Sequence, residues 1–239
     1  MYLYASLALA AHDYRPKAVV VIECPLCESP EYTPFHRDRR REYLRCDRCC
    51  LVFVPPTWFL ARDAERAEYE LHENDPADPG YRAFLSRLVR PLLERLEPGR
   101  RGLDFGCGPG PALAAMLREA GHQVALFDPF FFPDVAPLSD RYDFITATEV
   151  VEHLHRPGAE LAMLWALLQP GGTLGVMTKL VRDRAAFATW HYKNDPTHVA
   201  FYCRETWAWW AAREGAELEI VGSDVILLRK APRSADRSR

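Results

Sequence analysis

The stretch Arg101-Gly-Leu-Asp-Phe-Gly-Cys-Gly-Pro-Gly-Pro111 constrains the fold more than any other part of the chain. A short apolar run that meets glycine at every second position predicts a strand turning directly into a helix. Glycine suits such a turn because it tolerates positive φ and lets a backbone approach a ligand with no Cβ in the way. The dinucleotide fingerprint G-x-G-x-x-G is not satisfied, because its third glycine would fall where Pro111 or Leu113 stands. The spacing present is Asp104-x-Gly106-x-Gly108-x-Gly110. It fits a nucleotide-like ligand with no pyrophosphate to lay along a helix N-terminus.

Downstream of this turn, strands and helices alternate. Strands are predicted at Leu103–Phe105, Gln123–Asp128, Tyr142–Thr148 and Thr173–Thr178, with helices at Ala112–Ala120, Ala159–Leu168 and Glu205–Glu214. Alternation of this kind predicts an α/β fold with a parallel sheet covered on both faces. Two closing strands, Leu218–Val221 and Val225–Leu228, are close enough for a hairpin and predict an antiparallel edge. Upstream, residues 57–98 read as a helical linker or lid, with Tyr81, Phe84, Leu85, Leu88, Leu92 and Leu96 at helical spacing. The resulting division is residues 20–56, 57–98 and 99–230, with a disordered tail at 231–239.

Beyond the turn, several further stretches resemble class I, Rossmann-like, S-adenosylmethionine-dependent methyltransferases. These are Tyr142-Asp-Phe-Ile-Thr-Ala-Thr-Glu-Val-Val-Glu-His-Leu154, Leu168-Gln-Pro-Gly-Gly-Thr-Leu174 and His198-Val-Ala-Phe-Tyr202. Together they are similar to the ubiquinone-biosynthesis-type subgroup over about residues 58–229. The resemblance implies a mostly parallel Rossmann-like sheet. It also implies S-adenosylmethionine held by Asp104, Gly106, Cys107, Gly108, Gly110, Asp128, Pro129 and Glu149. Asp104 would lie near the methionyl end, and Asp128 would accept the ribose hydroxyls. Only 14 residues separate Asp128 from Asp143, where family members fit a helix and a third strand. Phe130-Phe-Phe132 either walls the adenine, with Asp134 as a partner, or belongs to the core.

Seven cysteines include two pairs, Cys24/Cys27 and Cys46/Cys49, separated by 18 residues. This spacing points to a four-thiolate structural Zn²⁺ ribbon. The odd count favours a reducing, cytoplasmic setting over a disulfide framework. Five arginines and two acids between the pairs (Phe35 to Arg45) are either an RNA- or phosphate-gripping finger or a solvated hairpin, and their mixing with acids favours the hairpin.

A net charge of -3 argues against coating nucleic acid by charge alone. No run reaches the ~20 apolar residues of a membrane span. The apolar opening, Met1 to Ala11, lacks a basic start and reads as a frayed N-terminus. A small-molecule methyl acceptor is therefore expected, with RNA as the alternative and the oligomeric state undetermined. Proton removal from an oxygen or nitrogen acceptor calls for a base. The candidates are His198 first, then His191 and Glu149, with Tyr69 or Tyr81 closing the site. Glu149, Glu152 and His153 also match by letter an E-x-x-E-H set that holds a divalent metal in some related quinol methylases. The simpler reading is that Glu152 and His153 begin the next helix.

Overall fold

A computed structural model of the chain describes residues 22–71 and 75–232. The opening apolar segment and residues 233–239 of the expected tail lie outside the described residues. Among the described residues, ten strands form two sheets, accompanied by six α-helices.

The N-terminal part contributes β1 (Tyr32–Arg37), β2 (Glu42–Cys46) and β3 (Val52–Phe53). Helix α1 (Arg62–Tyr69) has no buried residue, whereas α2 (Pro79–Leu93) buries Leu85, Leu88, Val89 and Leu92 on one stripe. Asp78 caps α2 by accepting the Tyr81 N–H at 2.5 Å, and Pro79 occupies the first turn, where no N–H partner is lost.

The second sheet begins with β4 (Arg101–Phe105), followed by α3 (Ala112–Glu119), β5 (Gln123–Phe127) and β6 (Tyr142–Thr148). Helix α4 (Pro157–Leu167), strand β7 (Leu168–Met177), the short α5 (Arg184–Ala188) and β8 (Ala200–Phe201) come next. Helix α6 (Arg204–Glu214), β9 (Glu217–Val221) and β10 (Val225–Arg229) complete the chain. The strand order is β5-β4-β6-β7-β10-β9. β5, β4, β6 and β7 run parallel, while β10 is antiparallel to both β7 and β9. The expected Rossmann-like sheet with an antiparallel edge hairpin is therefore what forms. No strand lies between β5 and β6 in sequence, so β5 is an edge of the sheet.

One boundary differs from expectation. Pro170-Gly-Gly172 does not precede β7 but lies inside it, because pairing with β6 starts at Leu168 opposite Tyr142. Gly171 at φ 80° bulges the strand there, and its N–H turns to the Lys230 and Ala231 carbonyls.

Apolar residues cover both faces of the large sheet. Helices α2 and α3 pack Leu88, Leu92 and Leu117 against Phe144 and Leu227. On the other face, α4 and α6 bring Leu161, Trp165, Trp207 and Trp210 against Ile145, Val176 and Ile226. Cys24, Cys27, Cys46 and Cys49 belong to this same layer, so the N-terminal knuckles share the core of the α/β part. The small sheet is shared too. Its order is β1-β2-β3-β8, with Val52 paired to Phe201 and Phe53 to Ala200.

Candidate active site

Strand β4 ends at the carboxyl edge of the large sheet, where open α/β folds take their ligands. Gly106 and Gly108 both sit at positive φ, 71° and 63°. A Cβ on Gly106 would lie 2.5 Å from a Val150 methyl carbon, so the β6–α4 connection requires a bare backbone there. The turn is fastened to β5 through the Gly106 N–H on the Phe127 carbonyl (2.7 Å) and the Gly108 N–H on Asp128 Oδ2 (3.0 Å). Asp128 Oδ1 accepts two further backbone N–H groups, from Phe130 (2.9 Å) and Phe131 (3.0 Å). A carboxylate offers roughly four acceptor positions, so about one is left for a ribose hydroxyl.

Asp104 lies beneath this turn, 3% exposed, and accepts from Thr146 Oγ1 at 2.9 Å. Burial pushes its carboxyl up to about 7, against the pull of the Thr146 hydroxyl and the Ala114 backbone. Burial also raises the Cys107 thiol. A cationic group arriving beside Asp104 would restore the ionised form, which suits the ammonium and sulfonium of S-adenosylmethionine.

A second group of polar residues gathers after β6 and β7. Val151–His153 is a single 3-10 turn, so Glu152 and His153 precede α4 rather than begin it. The Tyr192 hydroxyl lies between two carboxylates, bonded to Glu152 Oε1 and reaching Glu149 Oε2 at 3.3 Å. Burial raises Glu149 to about 7 and Glu152 to about 8, the latter helped by the Glu149 charge. One oxygen of each, Glu149 Oε1 and Glu152 Oε2, is buried without a hydrogen-bond partner. Buried oxygens of this kind call for a ligand, a proton or an ion.

His198 is buried and its Nδ1 lies 2.7 Å from the Tyr192 carbonyl. Because a carbonyl only accepts, that bond puts the proton on Nδ1, and Nε2 carries the lone pair of the neutral ring. Nε2 lies 3.7 Å from Asp195 Oδ2, and the His153 ring stands edge-on at 4.5 Å. Glu152, His153 and His198 each place one donor atom within 4.8 Å of the others, a set that could hold a metal ion. His191 is exposed, with Nε2 3.0 Å from Lys179 Nζ.

One cavity of about 1190 Å³ joins the two groups. Of the residues expected from sequence, Asp104, Gly106, Cys107, Gly108, Asp128, Pro129, Glu149, His191 and His198 line it. Gly110 does not; it is buried below the turn, where its carbonyl accepts the Ala112 N–H. Tyr69 and Tyr81 close the side formed by α1 and α2. Phe130 and Phe131 line the wall, and Phe132 pairs back to Asp128 in an isolated bridge. Thr146, Lys179 and Glu160 were not singled out from sequence. No local motif marks them: Thr146 meets Asp104 and Lys179 meets His191, while Glu160 Oε2 is buried without a hydrogen-bond partner. By contrast, the aromatic stretches at Phe187–Trp190 and Trp207–Trp210 contribute to the core through Phe187, Trp207 and Trp210.

The cysteine pairs converge as expected. Cys24 Sγ lies 3.5 Å from Cys49 Sγ, and Cys27 Sγ 3.4 Å from Cys46 Sγ. These separations exceed the ~2.05 Å of a disulfide. They approach the edge, about 3.8 Å, of a tetrahedron with ~2.3 Å Zn–S bonds. The hydrogen bond from Cys49 lowers the Cys24 thiol to about 6, while burial pushes Cys27 up to about 12.

A mostly parallel α/β sheet, opening through a glycine turn onto a carboxylate-lined cavity, defines a Rossmann-like nucleotide-cofactor fold. The chain belongs to the methyltransferase domain family, whose model matches residues 79–221, more than half of its length. It is 28% identical to the ribosomal protein L11 methyltransferase of Ralstonia pickettii, covering 87% of this chain and 76% of that one. It is 30% identical to a ubiquinone biosynthesis O-methyltransferase of Xanthomonas campestris, covering 59% and 72%. Among solved structures it is similar to 1,6-didemethyltoxoflavin-N1-methyltransferase of Burkholderia thailandensis, which carries bound S-adenosylhomocysteine. That match has 18% identity and a TM-score of 0.45, over 83% of this chain and 99% of that one. The chain is thus an S-adenosylmethionine-dependent methyltransferase.

Proposed function

We propose that the chain methylates a small molecule, on oxygen, nitrogen or carbon, bound between residues 191–198 and helices α1 and α2. The observation that carries this reading is the continuous cavity shared by the two groups of residues. At about 1190 Å³ it slightly exceeds the ~300–1,000 Å³ typical of one ligand, leaving room for a cofactor and a second small molecule.

When bound, S-adenosylmethionine supplies a methyl group whose bond to sulfur breaks as the acceptor atom attacks in line. The protein's part is alignment and proton removal. Gly106, Cys107, Gly108 and Pro129 give the cofactor a surface, with Gly110 shaping the turn beneath. Asp104 faces its cationic end and Asp128 a ribose hydroxyl. His198 Nε2 takes the acceptor proton or orients the acceptor, with His191 as its substitute and Glu149 at the boundary between the two ligands.

The arginines of the N-terminal hairpin support the small-molecule reading over the RNA one. Arg37 is paired with Glu42 at 2.7 Å, and Arg40 and Arg41 donate to backbone carbonyls of residues 193–196. We also infer a structural Zn²⁺ at Cys24, Cys27, Cys46 and Cys49. Four buried thiolates leave no open coordination position for chemistry, and they suit a reducing, cytoplasmic setting. A second reading of the inner cluster follows from its donor set: Glu152, His153 and His198 are the residues that would hold a divalent ion, in which case His198 is a ligand and not a base.

The test is incubation with methyl-labelled cofactor and, separately, a metabolite extract, total RNA and ribosomal protein. Label in a small molecule is expected. Label confined to RNA or protein would overturn the acceptor class. Dependence of turnover on added Mg²⁺ or Mn²⁺, abolished by Glu152→Gln, would favour the ligand role of His198.

A further inference from the structure

The N-terminal hairpin and the segment carrying both candidate histidines are joined by an unusual set of hydrogen bonds. Arg41 is 5% exposed, although it is a cation on a short hairpin. Its Nη2 donates to the carbonyls of Lys193 (2.7 Å) and Asp195 (2.6 Å), and its Nη1 to that of Pro196 (3.0 Å). Arg40 Nη1 donates to the Asn194 carbonyl at 2.8 Å. Four successive carbonyls, 193 to 196, are therefore all held by two neighbouring arginines. Arg41 Nε also donates to the Tyr43 hydroxyl (3.1 Å), and that hydroxyl donates in turn to the Lys193 carbonyl (3.2 Å).

The contact runs in the other direction as well. Lys193, itself 5% exposed, sends its ammonium back to Asp38 Oδ2 at 2.5 Å. Asp38 Oδ1 accepts the N–H groups of Arg40 (2.8 Å) and Arg41 (3.1 Å), which fixes the hairpin that presents the guanidinium. At the far end of the segment, β3 pairs with β8, and the Val54 N–H donates to the Val199 carbonyl at 2.9 Å.

Residues 191–195 form a 3-10 turn and its exit, a conformation with few internal partners for its carbonyls. Without the arginines the Lys193 and Asp195 carbonyls would keep only the Tyr43 hydroxyl and the His198 N–H, and those of Asn194 and Pro196 would be left to water, so nothing would tie this stretch to the hairpin by its backbone. Residue placement in the cavity follows from that backbone. The Tyr192 carbonyl sets the His198 ring, the Tyr192 hydroxyl reaches Glu149 and Glu152, and Thr197 Oγ1 meets His153 Nδ1 at 2.9 Å. Burying two cations against a single carboxylate is a poor way to gain stability, since apolar residues of similar volume commonly do as well. A planar fork that grips several carbonyls in fixed directions is what arginine offers and lysine does not.

We propose that Arg41 is a positioning residue of the methyltransferase, holding residues 193–196 by their carbonyls so that Tyr192 and His198 face the acceptor. The N-terminal hairpin is then a structural part of the catalytic unit rather than a separate grip for nucleic acid. The inference rests on the reading of residues 191–198 as the acceptor-facing segment.

The experiment uses the full chain as wild type, Arg41→Ala, Arg41→Lys and Asp38→Asn. Hydrogen exchange is followed by mass spectrometry, and S-adenosylhomocysteine is titrated by calorimetry. In Arg41→Ala, amide exchange across 191–198 should accelerate about tenfold or more, while β4–β7 stay protected and S-adenosylhomocysteine affinity holds within about twofold. Arg41→Lys should restore only part of the protection, and Asp38→Asn should loosen the same segment by releasing Lys193. With the acceptor identified as above, kcat should fall about tenfold or more in Arg41→Ala with KM for the cofactor unchanged.

Unchanged exchange at 191–198 in Arg41→Ala, or full rescue by lysine, would overturn the proposal. So would exchange that rises equally through the large sheet, which would make Arg41 a general stability residue. If Arg41→Ala does not fold, Asp38→Asn and Arg41→Lys decide by the same two readouts. If no small molecule is methylated, the exchange and affinity measurements still decide the role of Arg41, so the two failures are separable.

Discussion

Asp104→Asn should stabilise the cofactor-free protein at pH 8 and leave its stability little changed at pH 5. Burial raises the Asp104 carboxyl from its ordinary 3.8 to about 7. Holding it ionised at pH 8 therefore costs roughly 4 kcal/mol at ~1.4 kcal/mol per tenfold, an upper limit for a static interior. The folded protein keeps this proton where the unfolded chain has lost it. The stability contribution of Asp104 is thus full below about pH 4, declines as pH rises, and is gone above about pH 7. Asparagine never ionises and keeps an oxygen for Thr146 Oγ1. It turns an amide toward the Ala114 backbone, where the carboxylate accepts, costing about 1–2 kcal/mol. The net gain at pH 8 is about 2–3 kcal/mol, or about 4–12 °C in Tm for a chain of this size. At pH 5, about one unit above the ordinary 3.8, the penalty on wild type has fallen to about 1.6 kcal/mol, which the amide mismatch cancels. Thermal unfolding of both proteins at both pH values measures this, and calorimetry at pH 8 should show S-adenosylmethionine binding weakened about tenfold or more. A change in Tm of the same sign and size at both pH values would refute the reasoning.

Asp128→Ala should weaken S-adenosylmethionine binding by roughly 1.5–3 kcal/mol, the value of a charged hydrogen bond, and calorimetry checks it. It also removes the acceptor for the Gly108, Phe130 and Phe131 N–H groups, so faster hydrogen exchange in the 106–109 turn should accompany the loss. His198→Ala should lower turnover about 10²-fold or more with cofactor affinity nearly unchanged; a joint collapse would make His198 a structural residue. Elemental analysis should find one Zn²⁺ per chain at the four thiols, and Cys46→Ser should release it. Because those cysteines pack in one layer with Trp165 and Trp207, the same variant should lower the Tm of the whole chain.

What the sequence revealed was local. The glycine turn, Asp128 beyond it and the CxxC spacing are each set within a few residues; the first two line one cavity, and the four cysteines gather in one cluster. The six-stranded sheet was legible because short apolar runs between breakers mark every strand of it in the chain. Other features were not legible. Strand β8 is two residues long and pairs with β3 across most of the chain, leaving no periodicity to read. The start of β7 at Leu168 was hidden by Pro170-Gly-Gly172, which elsewhere ends an element and here forms a bulge inside one. Arg41 looked like one arginine among five on a solvated hairpin, and only the tertiary fold supplies the carbonyls that bury it. Tyr192 likewise becomes a site residue through Glu149 and Glu152, some 40 positions away.

The pairing of β3 with β8 also has a consequence for synthesis. Phe53 meets Ala200, 147 positions later, so the first sheet the ribosome begins must wait for a strand from far down the chain. At about 5–20 residues per second, roughly 7–30 s pass between emergence of the thiol knuckles and arrival of their covering strand. Throughout that interval the edge of β3 lacks its partner strand. Binding of the proposed Zn²⁺ by the nascent hairpin would hold the knuckles together meanwhile, and zinc supply during translation would then bear on yield.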